Sequence, residues 1–315
     1  MRTLVLGVGG MIGDAVAASL TQSGHEVFCV SRSAESDELN GIVYKRADRN
    51  DPKQITLLVN TFGIDVVVDV IAYDVASTQN LLTSLAGKID QYVLLSSCDV
   101  YRNYGLIHQT EMGKPDPSPL REDSPIRSHL YPYRLAQARR KDDPQRWLDG
   151  YDKIPIEAAA RTFDGKWTIL RLPMVYGPGD PQKRFEWAIR PLLAGAETIV
   201  VPASWLNWTT TYGYVGNVAS AIAASVGNSD FENRTFNVVD RKPKPHGEWF
   251  SDFAKVIGWS GQVTETDDPN HPISVATSPL DLKIPLLVSG QTMLDFTTYR
   301  PTLSHQEALR NTIAA

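Results

Sequence analysis

A doubly wound α/β fold, in which helices cover both faces of a parallel sheet, is the class this sequence predicts, and three observations predict it. Short β-branched runs alternate with amphipathic stretches through the first half of the chain, the pattern of a sheet buried on both sides. The first run leads directly into a glycine-rich turn, Gly7-Val8-Gly9-Gly10-Met11-Ile12-Gly13. At 315 residues the chain also exceeds what one core comfortably fills, so a second, smaller region is expected beside the first.

The elements follow from periodicity. Runs such as Val27-Phe28-Cys29-Val30 and Val66-Val67-Val68 place strands over 3–7, 26–30, 42–45, 65–70, 91–96 and 167–172, each too short and too β-branched to read as a helix. Helical spacing of apolar residues marks 12–22, 52–62, 77–86 and 155–162. Ligands of such a sheet gather at the carboxyl ends of its strands. Residues 102–148 interrupt the alternation with Pro115, Pro117, Pro119, Pro125, Pro132 and Pro144. A connection of that length reads as an excursion of the lid or binding-loop kind. After Gly179 the pattern loosens, and Trp205, Trp208, Tyr212 and Tyr214 fall close together, either as the wall of a pocket or as packed core. The expected division is a Rossmann domain over 1–177, carrying the 102–148 excursion, and a mainly substrate-binding region over 178–315.

Composition narrows the partners. With 31 basic against 36 acidic residues and a net charge of −5, no excess of cations is present to neutralise phosphates, so no nucleic-acid partner is expected. The local run Arg139-Arg140-Lys141 reads as a solvated basic turn. Cys29 and Cys98 build no disulfide framework, and no CxxC, HExxH or Cys/His cluster points to a metal. That usage suits a reducing, cytoplasmic compartment. Met1 leads into only four residues, Leu4-Val5-Leu6-Gly7, too short an apolar stretch for a secretory leader. No later run approaches the about 18 apolar residues that cross a bilayer, so no membrane partner is expected.

The glycine turn carries the first chemistry. Gly7, Gly10 and Gly13 form a GxxGxxG pattern between the first strand and the first helix. Missing β-carbons let a pyrophosphate approach the backbone, and the helix start at Met11 and Ile12 offers free N–H groups and a partial positive charge. At the end of the second strand stands Ser31-Arg32-Ser33, where a site preferring NAD carries an acid for the ribose hydroxyl. A guanidinium between hydroxyls suits a 2′-phosphate instead and points to NADP, with NAD less favoured; the competing reading is a solvent-facing loop arginine. Asp48, after the third strand, can accept from an adenine amino group or cap a helix, as can Asp51.

Taken in order, Gly7–Gly13, Ser96-Ser97-Cys98-Asp99-Val100-Tyr101, Tyr151-Asp152-Lys153 with Glu157, and Arg171-Leu172-Pro173-Met174-Val175-Tyr176-Gly177-Pro178-Gly179 resemble the extended short-chain dehydrogenase/reductases, specifically the NAD-dependent epimerase/dehydratase family. The resemblance covers nearly the whole chain. It implies that 212–240 returns to the Rossmann domain and that Ala72, Tyr73, Pro173 and Val175 lie along the cofactor.

The same resemblance implies three roles. A Ser or Thr at a strand end orients the substrate oxygen, which Ser97 matches. A Tyr acts as acid or base, and a Lys four residues later tunes it and holds the nicotinamide ribose. A phenol titrating near 10 needs such a cation to work at neutral pH. Lys153 fits the lysine, since Glu157 follows it by one helical turn, but four residues before it stands Asp149, and Tyr151 is only two before. Residues two apart on a helix face different ways, so Tyr151 and Lys153 share a site only if the helix has not begun before Lys153. Asp149 is the substitute to weigh. Asp99 occupies the place of the proton-abstracting glutamate in the family's sugar-nucleotide dehydratases, although Cys98 replaces the acid beside it; a plain turn role is the alternative. His108 and His129 lie in the excursion and could reach a substrate.

The function expected is an NADP-dependent oxidoreductase, epimerase or dehydratase acting on a small-molecule substrate, a carbonyl or hydroxyl compound such as a sugar derivative or secondary metabolite, in a protein that forms a homodimer as many relatives do. Two alternatives stand beside it: a redox-neutral enzyme using the same pocket, with Asp99 or Asp149 moving protons, and a dinucleotide-binding protein that has lost catalysis with the broken Tyr/Lys spacing.

Overall fold

The computed structural model describes residues 1–33 and 38–315. In chain order the Rossmann half comprises β1 (Arg2–Leu6), α1 (Met11–Gln22), β2 (Glu26–Ser31), β3 (Glu38–Leu39), β4 (Ile42–Arg46), α2 (Pro52–Phe62), β5 (Val66–Asp69), α3 (Val75–Leu85), β6 (Gln91–Ser97), α4 (Arg102–Ile107), α5 (Lys153–Ala160) and β7 (Lys166–Leu172). It continues through β8 (Met174–Tyr176), α6 (Glu186–Leu193), β9 (Thr198–Pro202), α7 (Ala203–Asn207), β10 (Thr209–Thr210), β11 (Tyr212–Tyr214), α8 (Val215–Ser225) and β12 (Arg234–Asn237). The last part holds β13 (Lys244–Pro245), α9 (His246–Ile257), β14 (Gln262–Thr266), α10 (Pro272–Thr277), α11 (Gln291–Phe296) and α12 (His305–Ile313). All six strands and four helices expected from the sequence are present, with ends that move by one or two residues. The helix expected from residue 155 begins at Lys153, a difference that matters at the site.

Eight strands form one sheet in the order β12-β7-β6-β5-β1-β2-β4-β3, parallel except for the short β3–β4 pair. The chain runs outward from β1 through β2 to β4 and then returns to the other side of β1 as β5, so the strand order reverses between β1 and β5. That reversal opens a crevice at their carboxyl ends. Alternation along β1 sorts the two faces: Val5 joins Val16, Leu20, Val218 and Ile222 under α1 and α8, while Leu4 and Leu6 join Ile55, Val59, Leu81 and Ile156 under α2, α3 and α5. Asp51 caps α2 by accepting from Lys53 and Gln54 N–H, and Gly63 ends it in the left-handed conformation, the φ that glycine adopts without a β-carbon clash.

Strand β12 pairs with β7 at the sheet edge, which brings residues after 233 back to the main sheet. Between these lies a second layer of aromatic packing: Phe185, Tyr212, Trp249 and Phe253 stack at 4.7–5.4 Å. Trp208, Tyr212 and Tyr214, weighed as pocket walls, are each under a tenth exposed and pack as core; Trp205 covers His246 at 4.1 Å. The excursion is anchored: Arg102 pairs with Asp116, and Leu120 N–H donates to the Leu287 carbonyl, tying the loop to the C-terminal segment. Among the described residues no helix is long and apolar enough to cross a membrane.

Candidate active site

The glycine turn follows β1 into the crevice. Gly7 and Gly9 adopt φ of 103° and 88°, values that L-residues with side chains rarely take. A β-carbon at Gly13 would stand 2.1 Å from the Gly7 carbonyl oxygen, and one at Gly7 would stand 2.5 Å from Ile71. No side chain caps α1 at Gly10, so the first-turn N–H groups, those of Met11 and Ile12 among them, have no intrahelical partner. The space beyond Gly9 and Gly10 is open. These features fit a dinucleotide pyrophosphate. One group that the sequence reading missed enters here: Asp14 accepts from Gly9 N–H at 2.7 Å.

At the end of β2, Arg32 is exposed and Ser31 Oγ lies 3.4 Å from Ser33 Oγ. Asp48 accepts from Asn50 N–H at 2.9 Å, and it is Asp51 that caps the helix. On the other side of the crevice, Ala72 is buried and Tyr73 half-buried on the loop after β5. Val175 pairs with Gly213 across β8 and β11, and a β-carbon at Gly213 would stand 3.0 Å from Pro173, so this segment packs closely.

At the end of β6, Ser97 Oγ accepts from Asp99 N–H at 3.1 Å, opening a single 3-10 turn over Cys98–Val100. That turn buries Asp99 to 5% exposure and aims its carboxylate at Tyr151, whose phenol donates to Asp99 Oδ2 at 2.9 Å. Asp152 caps α5 by accepting from Ile154 N–H at 2.9 Å. Lys153 is therefore the first helical residue and Tyr151 precedes the helix, the condition under which a spacing of two can serve one site. Lys153 Nζ stands 5.6 Å from the Tyr151 ring centre and 5.2 Å from that of Tyr73, and donates to the Ala72 and Leu95 carbonyls at 2.7 and 2.8 Å.

Burial dominates the electrostatics. It pushes Lys153 down to about 8, against the pull of Asp69 and Asp99. It raises Asp99 above the usual carboxylate range despite Arg127, and it lifts the Tyr151 phenol, which Asp99 lifts further. Asp99 Oδ1 is buried with no hydrogen-bond partner. The arrangement can hold a proton between Tyr151 and Asp99 next to a cation, which is acid/base equipment.

The excursion supplies what sequence reading missed. Arg127, buried at 2% exposure, donates from Nε to the Asp99 carbonyl at 2.5 Å and from Nη2 to Asp152 Oδ1 at 3.0 Å. Trp147 stacks on Tyr73 at 4.6 Å, Tyr133 stands 5.4 Å from Tyr151, and Tyr104 and Tyr133 share a hydroxyl contact of 2.6 Å. The one sequence signal for them was a group of aromatics in an otherwise polar loop. Asp149 pairs with Arg139, and the Arg139 N–H lowers its titration, which makes it a weak proton acceptor. His108 packs on Tyr104 at 4.4 Å. His129 is exposed.

A parallel sheet whose strand order reverses beside a glycine turn is a doubly wound, Rossmann-type fold, and Asp99, Tyr151 and Lys153 lie buried together after β6. The sequence model of the NAD dependent epimerase/dehydratase family matches residues 3–238, and the chain belongs to that family. Among curated proteins it is 24% identical over 255 residues to the chloroplast stem-loop binding protein of 41 kDa b of Arabidopsis thaliana, covering 76% of this chain and 59% of that one. It is also 24% identical to 2′-dehydrokanamycin reductase of Streptomyces kanamyceticus, over 87% of this chain and 69% of the other. The chain thus spans about three-fifths of the first of these relatives. Among solved structures, UDP-glucuronic acid 4-epimerase from Bacillus cereus, in complex with UDP-glucuronic acid and NAD, superposes with a TM-score of 0.70 at 17% identity, covering 100% and 98% of the two chains. The dTDP-glucose 4,6-dehydratase of Bacillus anthracis, in complex with NAD, superposes at 0.68 and 16% identity, covering 100% and 96%. These likenesses speak to the fold.

Proposed function

We propose that the protein is an NADP-dependent oxidoreductase, epimerase or dehydratase acting on a small carbonyl or hydroxyl compound. The observation that carries this reading is the Tyr151–Asp99 hydrogen bond of 2.9 Å beside Lys153. Gly7, Gly10, Met11, Ile12 and Gly13 would hold the pyrophosphate, Ser31 and Arg32 the 2′-phosphate, Asp48 the adenine, and Ala72, Tyr73, Lys153, Pro173 and Val175 the nicotinamide half. The cofactor, when bound, supplies hydride transfer. Ser97 Oγ then orients the substrate oxygen, and Tyr151 gives it a proton or takes one from it. Asp99 accepts the Tyr151 proton or returns it, and Lys153 keeps a positive charge next to the phenol. Burial and the neighbouring Asp99 push the Tyr151 phenol up, so it keeps its proton at neutral pH and is available as the donor rather than the base, and its strength as an acid rests on the Lys153 cation and the bound substrate.

Similarity to 2′-dehydrokanamycin reductase supports a reduction among these reactions. Kinship with a stem-loop binding protein does not favour an RNA ligand here, because the net charge of −5 supplies no cationic surplus. The test is a fluorescence titration with NADPH and NADH, repeated on Arg32→Ala. Tighter NADPH binding that weakens in the variant is expected. Equal or tighter NADH binding overturns the NADP preference, and binding of neither overturns the reading.

A further inference from the structure

A second buried charge pair lies at the switch point and belongs to none of the roles above. Arg49 directly follows Asp48 and is 3% exposed, while Asp69, the last residue of β5, is fully buried. Arg49 Nη2 meets Asp69 Oδ2 at 2.6 Å, and its Nε reaches the two carboxylate oxygens at 3.3 and 3.0 Å. Its other N–H groups donate to Thr78 Oγ1 and Ser77 Oγ, both at 2.9 Å, at the start of α3, and to Asn50 Oδ1 at 3.4 Å. Tyr92 adds its hydroxyl to Asp69 Oδ2 at 2.6 Å.

What this pair holds is the loop between β5 and α3. Asp69 Oδ1 accepts from Ile71 N–H at 3.3 Å. Ile71 packs where the absent β-carbon of Gly7 would be. The next carbonyl, that of Ala72, receives Lys153 Nζ at 2.7 Å, and Tyr73 presents its ring to the same ammonium. A planar fork is suited to this task because it fixes direction as well as charge. Buried pairs contribute little net stability against apolar replacements, so stability alone does not account for the arrangement.

We propose that Arg49 and Asp69 are positioning residues for the dinucleotide: they fasten the adenosine-side end of β4 to the loop that sets Gly7, Ala72, Tyr73 and Lys153. This inference rests on the cofactor reading above. Neither residue touches the reacting atoms; both act through the loop and through the Asp69 charge close to Lys153.

The experiment titrates NADPH into wild type, Arg49→Lys, Arg49→Met and Asp69→Asn across about pH 6 to 10, with a thermal melt of each. NADPH should bind about tenfold more weakly to each variant, equivalent to about 1.4 kcal/mol, and Arg49→Lys should recover melting temperature more than affinity. In Asp69→Asn the loss of binding at high pH should begin at lower pH, because the Lys153 ammonium has lost a neighbouring anion; a purely structural pair would move the melt and leave that limb in place. If the single variants do not fold, the apolar double replacement Arg49→Met with Asp69→Leu keeps the packing and should show the same loss. Folded variants with wild-type affinity and an unmoved limb overturn the inference while the cofactor reading stands. A wild-type protein that binds neither NADPH nor NADH overturns both.

Discussion

Tyr151 donates its phenol proton to Asp99 Oδ2 at 2.9 Å although the two residues are 52 positions apart, and Lys153 follows Tyr151 by two residues where the family spacing is four. The chain keeps the three groups together by starting α5 only after Tyr151. Gly150 closes the 3-10 turn over Arg146–Asp149, Tyr151 follows outside either helix, and the extended Asp152 caps a helix that begins only at Lys153.

If that hydrogen bond is the proton route, Tyr151→Phe should leave NADPH affinity within about twofold, since the variant keeps the ring, and lower turnover by about 10²–10⁴. Asp99→Asn should lower turnover by a comparable factor and should not add its full effect to Tyr151→Phe, because the two residues handle one proton. Turnover is read with a substrate found by carbonyl screening. Additive losses in the double variant would count against a shared proton.

Most of the framework that positions this site was legible in the sequence, for a physical reason. Strand alternation, the glycine turn and the Ser97 position depend on neighbours within a few residues, and local sequence reports local backbone preference. The site's enclosure was not legible. Arg127 reaches the Asp99 carbonyl across 28 residues and Asp152 across 25, and a proline-rich loop has no period that shows which of its arginines turns inward. Arg49 was hidden in another way: a charged residue after a strand reads as surface, and only the opposing buried carboxylate of Asp69, on a different strand, shows otherwise. For the Trp205, Trp208, Tyr212 and Tyr214 group the sequence left two readings open, since aromatic density alone does not separate a pocket wall from a core, and the burial of the last three decides for the core.

Arg127 offers a test of that enclosure. Its guanidinium is fully buried between Asp152 at 3.0 Å and Asp99 Oδ1 at 3.8 Å. In Arg127→Met both carboxylates are left buried without their cation, a change that costs about 3–5 kcal/mol and should lower the denaturant midpoint clearly. The deficit should shrink as pH falls, because protonation neutralises the stranded carboxylates in the folded variant. Unfolding curves at neutral and mildly acidic pH check this; a deficit that stays constant or grows toward acid would show that the carboxylates are not the source.

Lys153 gives a prediction whose sign can be worked through. Burial pushes its ammonium down to about 8 from an ordinary 10.5, so between those values the unfolded chain holds a proton that the folded chain has released. Stability from this group therefore rises with pH across about 8 to 10.5 and is absent below, where both states carry the charge and the fold bears the desolvation cost. The function runs the other way, since the ammonium that faces Tyr73 and Tyr151 is lost above about pH 8. Cofactor affinity in wild type should fall over the same interval in which wild type gains stability relative to Lys153→Met, by as much as about 3 kcal/mol. Urea unfolding of both proteins with parallel NADPH titrations measures the two trends, and a relative stability that falls with pH would mean that Lys153 is held as a cation by its anionic neighbours and that burial is the lesser influence.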